Sequence, residues 1–174
     1  MDGAFCFKSG THLSRLIDET GYITHELESG QHRQAVTSLI DETPTNENGY
    51  ARQLIHADPA EKFSVLALRW LPGAATPIHG HHAWGCVGVV NGEIGCETYA
   101  HKPGVVCDSE HPHPDDLVST GKLLAGPGTV AGVDPDPCGI HRLFNPTNSP
   151  ALTLHIYGMN FAKDPDGLNK YYQH

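Results

Sequence analysis

Positive charge is scarce in this chain: 11 lysines and arginines stand against 20 aspartates and glutamates, a formal net charge of -9 at neutral pH. The basic residues are also scattered, so the electrostatic footprint of a nucleic-acid binder is missing and a polyanion is not the expected partner. Long apolar runs are missing too, and none approaches the roughly 20 residues that a membrane-spanning helix needs. The five cysteines, Cys6, Cys86, Cys96, Cys107 and Cys138, include no CxxC pair. An odd set so spaced argues against a disulfide framework and against a structural zinc knuckle, and reduced thiols are expected. The first ten residues, MDGAFCFKSG, carry neither an apolar signal core nor an amphipathic arginine-rich pattern, so a cytoplasmic location is expected.

What the chain does have is 19 glycines, 13 prolines and 13 histidines in 174 residues. That mixture favours many short strands joined by turns over a helical bundle, and the length fits one domain with a real core. Helical spacing is confined to residues 10 to 42, in the groups Leu13, Leu16, Ile17 and Ala35, Val36, Leu39, Ile40, with Gly21 and Gly30 as breaks. Residues 43 to 49 are a loop by their turn chemistry, after which the period becomes strand-like. Strands are expected at 50–56, 63–71, 84–90, 93–99, 129–133, 140–144 and 151–157. Asn91-Gly92 is the pair favoured in a two-residue hairpin turn, and residues 101 to 116 read as a long irregular loop. The expected organisation is a single domain over 1–174: a helical segment at 1–49, an antiparallel sandwich or barrel at 50–160 and a tail at 161–174.

His79 and His81 are two residues apart, so on a strand both imidazoles project from one face and can share a metal ion. A third neutral nitrogen would complete one face of an octahedron and leave open positions, as oxygen-activating non-haem iron requires. His141 is the best candidate for it. His82, His101, His111 and His113 are expected at the surface or in loops.

Gly73, His79, Gly80, His81 and Gly92 resemble the first cupin motif, and Gly139-Ile140-His141 followed by Asn145 resembles the second. The fold so implied is mainly β, a small jelly-roll-like cupin barrel with short amino-terminal helices. The acidic ligand that ordinary cupins place three or four positions after the second histidine is Gly85 or Cys86 here. Three neutral ligands leave the metal's charge to be balanced by an anionic substrate, and a thiolate suits, because coordination to a divalent cation deprotonates a thiol. Over most of residues 50 to 160 the chain resembles the cysteine dioxygenase family, including its bacterial 3-mercaptopropionate dioxygenase branch.

The resemblance implies Fe(2+) on His79, His81 and His141, and dioxygen and a small thiol carboxylate as substrates. It implies that Arg52 and Tyr50 bind the carboxylate, that Trp84 lies at the substrate, and that Thr153, His155 and Tyr157 form a hydrogen-bond relay. Trp84-Gly85 is closer to the bacterial branch. That branch commonly has its carboxylate-binding arginine after the tyrosine strand, where this chain offers only Lys163, so Arg52 favours a cysteine-like mode. In the animal enzyme a cysteine near the metal is cross-linked to the tyrosine. Counting from His81 selects Cys86 for that role, but strand parity puts Gly85 on the histidine face and turns Cys86 away, so an unmodified, packed thiol is expected. A cupin isomerase, an enol dioxygenase or a non-catalytic metal-binding sensory cupin would use the same histidines, and an isomerase or enol dioxygenase would add a carboxylate beside them.

Overall fold

In a computed structural model, residues 31–105, 113–135 and 139–172 are described. Among these residues one α-helix, α1 (Gln31–Asp41), precedes ten strands: β1 (Tyr50–Ala57), β2 (Ser64–Trp70), β3 (His79–His81), β4 (Gly85–Asn91), β5 (Ile94–His101), β6 (Leu117–Ala125), β7 (Val130–Val133), β8 (His141–Phe144), β9 (Ala151–Tyr157) and β10 (Asn169–Tyr171). The strands form two five-stranded antiparallel sheets, ordered β1-β2-β9-β4-β7 and β10-β3-β8-β5-β6. Residues 35, 36, 39 and 40 lie in α1 as their spacing predicts, while the group Leu13, Leu16, Ile17 lies outside the described residues.

Alternation sorts the first sheet's side chains. Leu66, Leu68 and Trp70 of β2 point inward with Val89 of β4 and Tyr157 of β9, making the main core with Ile94 and Leu143 from the second sheet. The intervening residues Ala51, Ala67, Val90, Leu152 and Leu154 form the outer face, which Ile40 of α1 covers. At about 25 cal/mol per Å² of apolar surface, this two-sided burial supplies the main drive to assemble the sheet. No helix among the described residues is long and apolar enough to cross a membrane.

Three expectations need correction. Asn91-Gly92 does not close a hairpin: β4 and β5 belong to different sheets, so the turn carries the chain from one sheet to the other. Gly92 has the positive φ of 74° that favours glycine, but Asn91 is not left-handed, as the hairpin turn would require. A Cβ on Gly92 would also lie 2.8 Å from the Cβ of Ala151. The second correction concerns 117–125, which forms the nine-residue strand β6 paired along β5. The third is in the segment 161–174, where 169–171 return as β10 beside β3.

Candidate metal centre

His79 and His81 share the inner face of β3, and β8 brings His141 directly opposite His79 in the ladder. Their rings converge, with centroids 4.9 Å apart for His79 and His81, 4.5 Å for His79 and His141, and 5.0 Å for His81 and His141. One ligand atom from each lies within 4.8 Å of the others, and the group contains no carboxylate or thiol. Metal–nitrogen bonds of about 2.0–2.1 Å would draw the three nitrogens closer together than that spacing.

Their protonation suits a cation. Burial pushes the pKa of His79 down to about 3, with the neighbouring His141 as the next cause, and it also holds His81 well below and His141 below the ordinary value of 6.5. Neutral imidazoles are the form that binds metal. The Nδ1 of His79 lies 2.9 Å from the Pro77 carbonyl and that of His141 lies 2.7 Å from the Gly139 carbonyl. A carbonyl can only accept, so each Nδ1 carries the proton and each Nε2 presents a lone pair. The donor set therefore fits a divalent metal ion.

Across the interior, β9 presents Thr153, His155 and Tyr157 on one face. Thr153 Oγ1 lies 2.8 Å from His155 Nε2, and His155 Nδ1 lies 2.9 Å from the Tyr157 hydroxyl. The Tyr157 ring sits 5.2 Å from that of His81, so the relay ends at the histidine group. Burial drives the His155 pKa to about 3 and raises that of Tyr157, so both are neutral at pH 7. At the relay's far end the Trp70 indole donates to Thr153 Oγ1 at 2.8 Å, a contact the sequence did not suggest.

Arg52 and Tyr50 share the inner face of β1. The Arg52 charge lowers the pKa of His79, His155 and Tyr157 alike, so its field reaches both the histidine group and the relay. Its guanidinium lies 4.6 Å from the centre of the Phe161 ring. Phe161 is fixed by Ser64, whose hydroxyl accepts from Phe161 N and donates to the Met159 carbonyl. The Tyr50 ring packs 5.1 Å from that of Trp70. Lys163, by contrast, is exposed and paired with Glu61. Trp84 lies against the backbone of Gly158, just past Tyr157, where any Cβ would collide with the indole.

Gly85 is the ladder partner of Tyr157, and a Cβ there would lie 2.9 Å from the tyrosine ring. Cys86 pairs instead with Ile156 and is 2% exposed on the opposite face, as strand parity predicts. His82 is exposed, His113 begins the 3-10 turn Pro114–Asp116, and His101 ends β5 with its Nε2 3.3 Å from the Tyr172 hydroxyl. His111 lies outside the described residues. Asn145 is buried and its amide ties together the carbonyls of Trp70, Leu71 and Ser149, so its part is to lock the loop between β8 and β9.

No family model matches the chain. A protein with a double-stranded β-helix domain from Klebsiella pneumoniae superposes with a TM-score of 0.52 at 15% identity, over 80% of this chain and 89% of that one. The chain has the cupin fold. A cupin-superfamily sugar phosphate isomerase from Silicibacter pomeroyi superposes at a TM-score of 0.48 and 19% identity, over 65% of this chain and 61% of that one. An oxalate oxidase does so at 0.47 and 20%, over 70% of this chain and 57% of that one. In this fold the interior between the sheets holds both the histidine group and the relay.

Proposed function

We propose that this cupin is a thiol dioxygenase that oxidises a small carboxylate-bearing thiol, of the cysteine or 3-mercaptopropionate type, to a sulfinate. The balance is one thiol and one dioxygen giving one sulfinic acid, with both oxygen atoms ending on sulfur. The carrying observation is the histidine group itself: three neutral imidazoles, with no carboxylate among the described residues joining them, beside the ring of a relay-held tyrosine. A carboxylate-free site leaves a dipositive ion unbalanced and so favours an anionic ligand. Ferrous iron in that position would supply Lewis acidity, thiolate formation and reactivity toward dioxygen.

The chain's own residues have separate tasks in this reading. Arg52 offers a guanidinium fork to the substrate carboxylate, with Tyr50 beside it on the same strand face. Tyr157 donates a hydrogen bond to negative charge developing on oxygen, and His155 and Thr153 hold its hydroxyl in place. Trp84, packed on Gly158, bounds the site beyond Tyr157. Of the two cations Arg52 and Lys163, Lys163 is engaged with Glu61, and that favours Arg52 and a cysteine-like pose. The test is oxygen uptake by iron-loaded protein with cysteine, 3-mercaptopropionate and mercaptosuccinate, with sulfinate identified by mass. Uptake with one of them is the expected result, and no turnover with any thiol overturns the reading.

A further inference from the structure

His79 and His141 each place Nδ1 on a backbone carbonyl two residues earlier, but His81 has no such support. Its Nδ1 is buried and makes no hydrogen bond of full geometry, although Asn169 is near enough for a side-chain hydrogen bond that raises the His81 pKa. Directly across the β3–β10 ladder from His81 stands Asn169, and its Oδ1 is also buried and unpartnered. The Asn169 Nδ2 donates to the Tyr171 hydroxyl at 2.9 Å with one of its two N–H groups, while the amide oxygen has no partner. Tyr171 faces His79 from the same strand, with ring centroids 6.1 Å apart, so β10 borders both histidines of β3.

We propose that β10 is part of the metal centre and that Asn169 is the positioning residue for His81, its Oδ1 accepting the Nδ1 proton of the ring. The inference rests on the metal-centre reading above. The reasoning is one of tautomers: His81 can present Nε2 as a ligand only when Nδ1 carries the proton, and a buried N–H needs an acceptor. Two of the three ligands obtain theirs from their own loops. The third obtains it from a strand more than 80 residues further along the chain, so closing the carboxy-terminal segment onto β3 completes the site. Reversing the amide would aim Nδ2 at His81 Nδ1 and favour the tautomer whose Nε2 cannot bind.

Cobalt(II) binding to the full chain, read from visible absorption and competition with a chelator, tests this without reference to turnover. Asn169→Ala is expected to weaken cobalt binding by about 10–100-fold, the usual effect of losing a partner behind a metal ligand. Asn169→Asp, which restores an acceptor, is expected to keep most of the affinity. Equal binding by parent and Asn169→Ala overturns the inference, as does equal weakening by Ala and Asp, which would mark a purely structural role. If Asn169→Ala does not fold, Asn169→Leu, close to the native volume, is measured in its place, and its binding is compared with that of the parent and of Asn169→Asp in the same way. A parent protein that takes up no cobalt defeats the metal-centre reading as well, and that result is distinct from the others.

Discussion

Trp70 donates its indole N–H to Thr153 Oγ1 at 2.8 Å, and this bond anchors the far end of the relay. An indole can donate but not accept. Thr153 Oγ1 accepts that bond with one lone pair, and giving its own proton to His155 Nε2 leaves His155 Nδ1–H to donate to Tyr157. The tyrosine proton is then free to point at the histidine group. Trp70→Phe removes that anchor. It should cost about 1–3 kcal/mol of stability, the usual penalty for an orphaned buried polar group, as measured by denaturant unfolding. It should also lower thiol-dependent oxygen uptake by about tenfold at unchanged metal content. Tyr157→Phe should cost about 10²-fold or more, the range for loss of a proton-donating group.

Metal-free protein should lose stability as the pH falls from about 6.5 toward 3. His79 and His155 have folded-state pKa values lowered to about 3, chiefly by burial, against 6.5 for an exposed ring. Between those values the unfolded chain binds protons that the folded chain refuses, so acid favours unfolding; above 6.5 neither state is protonated there and the effect is absent. Each such histidine contributes up to about 1.4 kcal/mol per pH unit. Urea midpoints measured across this window should fall with a slope above one proton. A divalent metal bound at the centre should raise the midpoint near neutral pH, since only the folded state offers the site.

Local chemistry made part of this legible and topology hid the rest. The parity of His79 and His81, and of Thr153, His155 and Tyr157, follows from period-two alternation, so those faces could be assigned before the sheets were known. Which sheets faced each other could not. Asn91-Gly92 carries a hairpin signature, yet the same positive φ at Gly92 serves a passage between sheets. The bond from Trp70 had no local signal, because its partner Thr153 is 83 positions away. Asn169 stands in a three-residue strand, too short for any periodicity to register.

Gly85, rather than Cys86, is the position that governs the tyrosine from β4. An added Cβ would meet Tyr157 Cδ1 at 2.9 Å and Val133 Cγ1 at 3.1 Å. Gly85→Ala should therefore displace the ring, destabilise the fold by about 1–3 kcal/mol and reduce turnover, with thermal unfolding and oxygen uptake as the measurements. Cys86→Ala should leave turnover intact, because that side chain lies on the far face beside the Ile156 row. Peptide mass mapping of the parent protein should find Tyr157 unmodified, and a thioether joining it to Cys86 would contradict the strand register.

Arg52 offers the sharpest separation between binding and chemistry. Its guanidinium is held at 4.6 Å over the Phe161 ring and its charge is felt at His79, His155 and Tyr157. A hydrogen bond to a charged group contributes about 1.5–3 kcal/mol. Arg52→Ala should accordingly raise KM for a carboxylate-bearing thiol by roughly 10- to 100-fold. Arg52→Lys should recover only part of that loss, because an ammonium cannot grip both carboxylate oxygens in one plane. A thiol of similar size lacking the carboxylate supplies the control, since its turnover should be slow in the parent and nearly unchanged by either substitution. Equal losses for both thiols would place Arg52 in the support of the fold and leave the carboxylate without its partner.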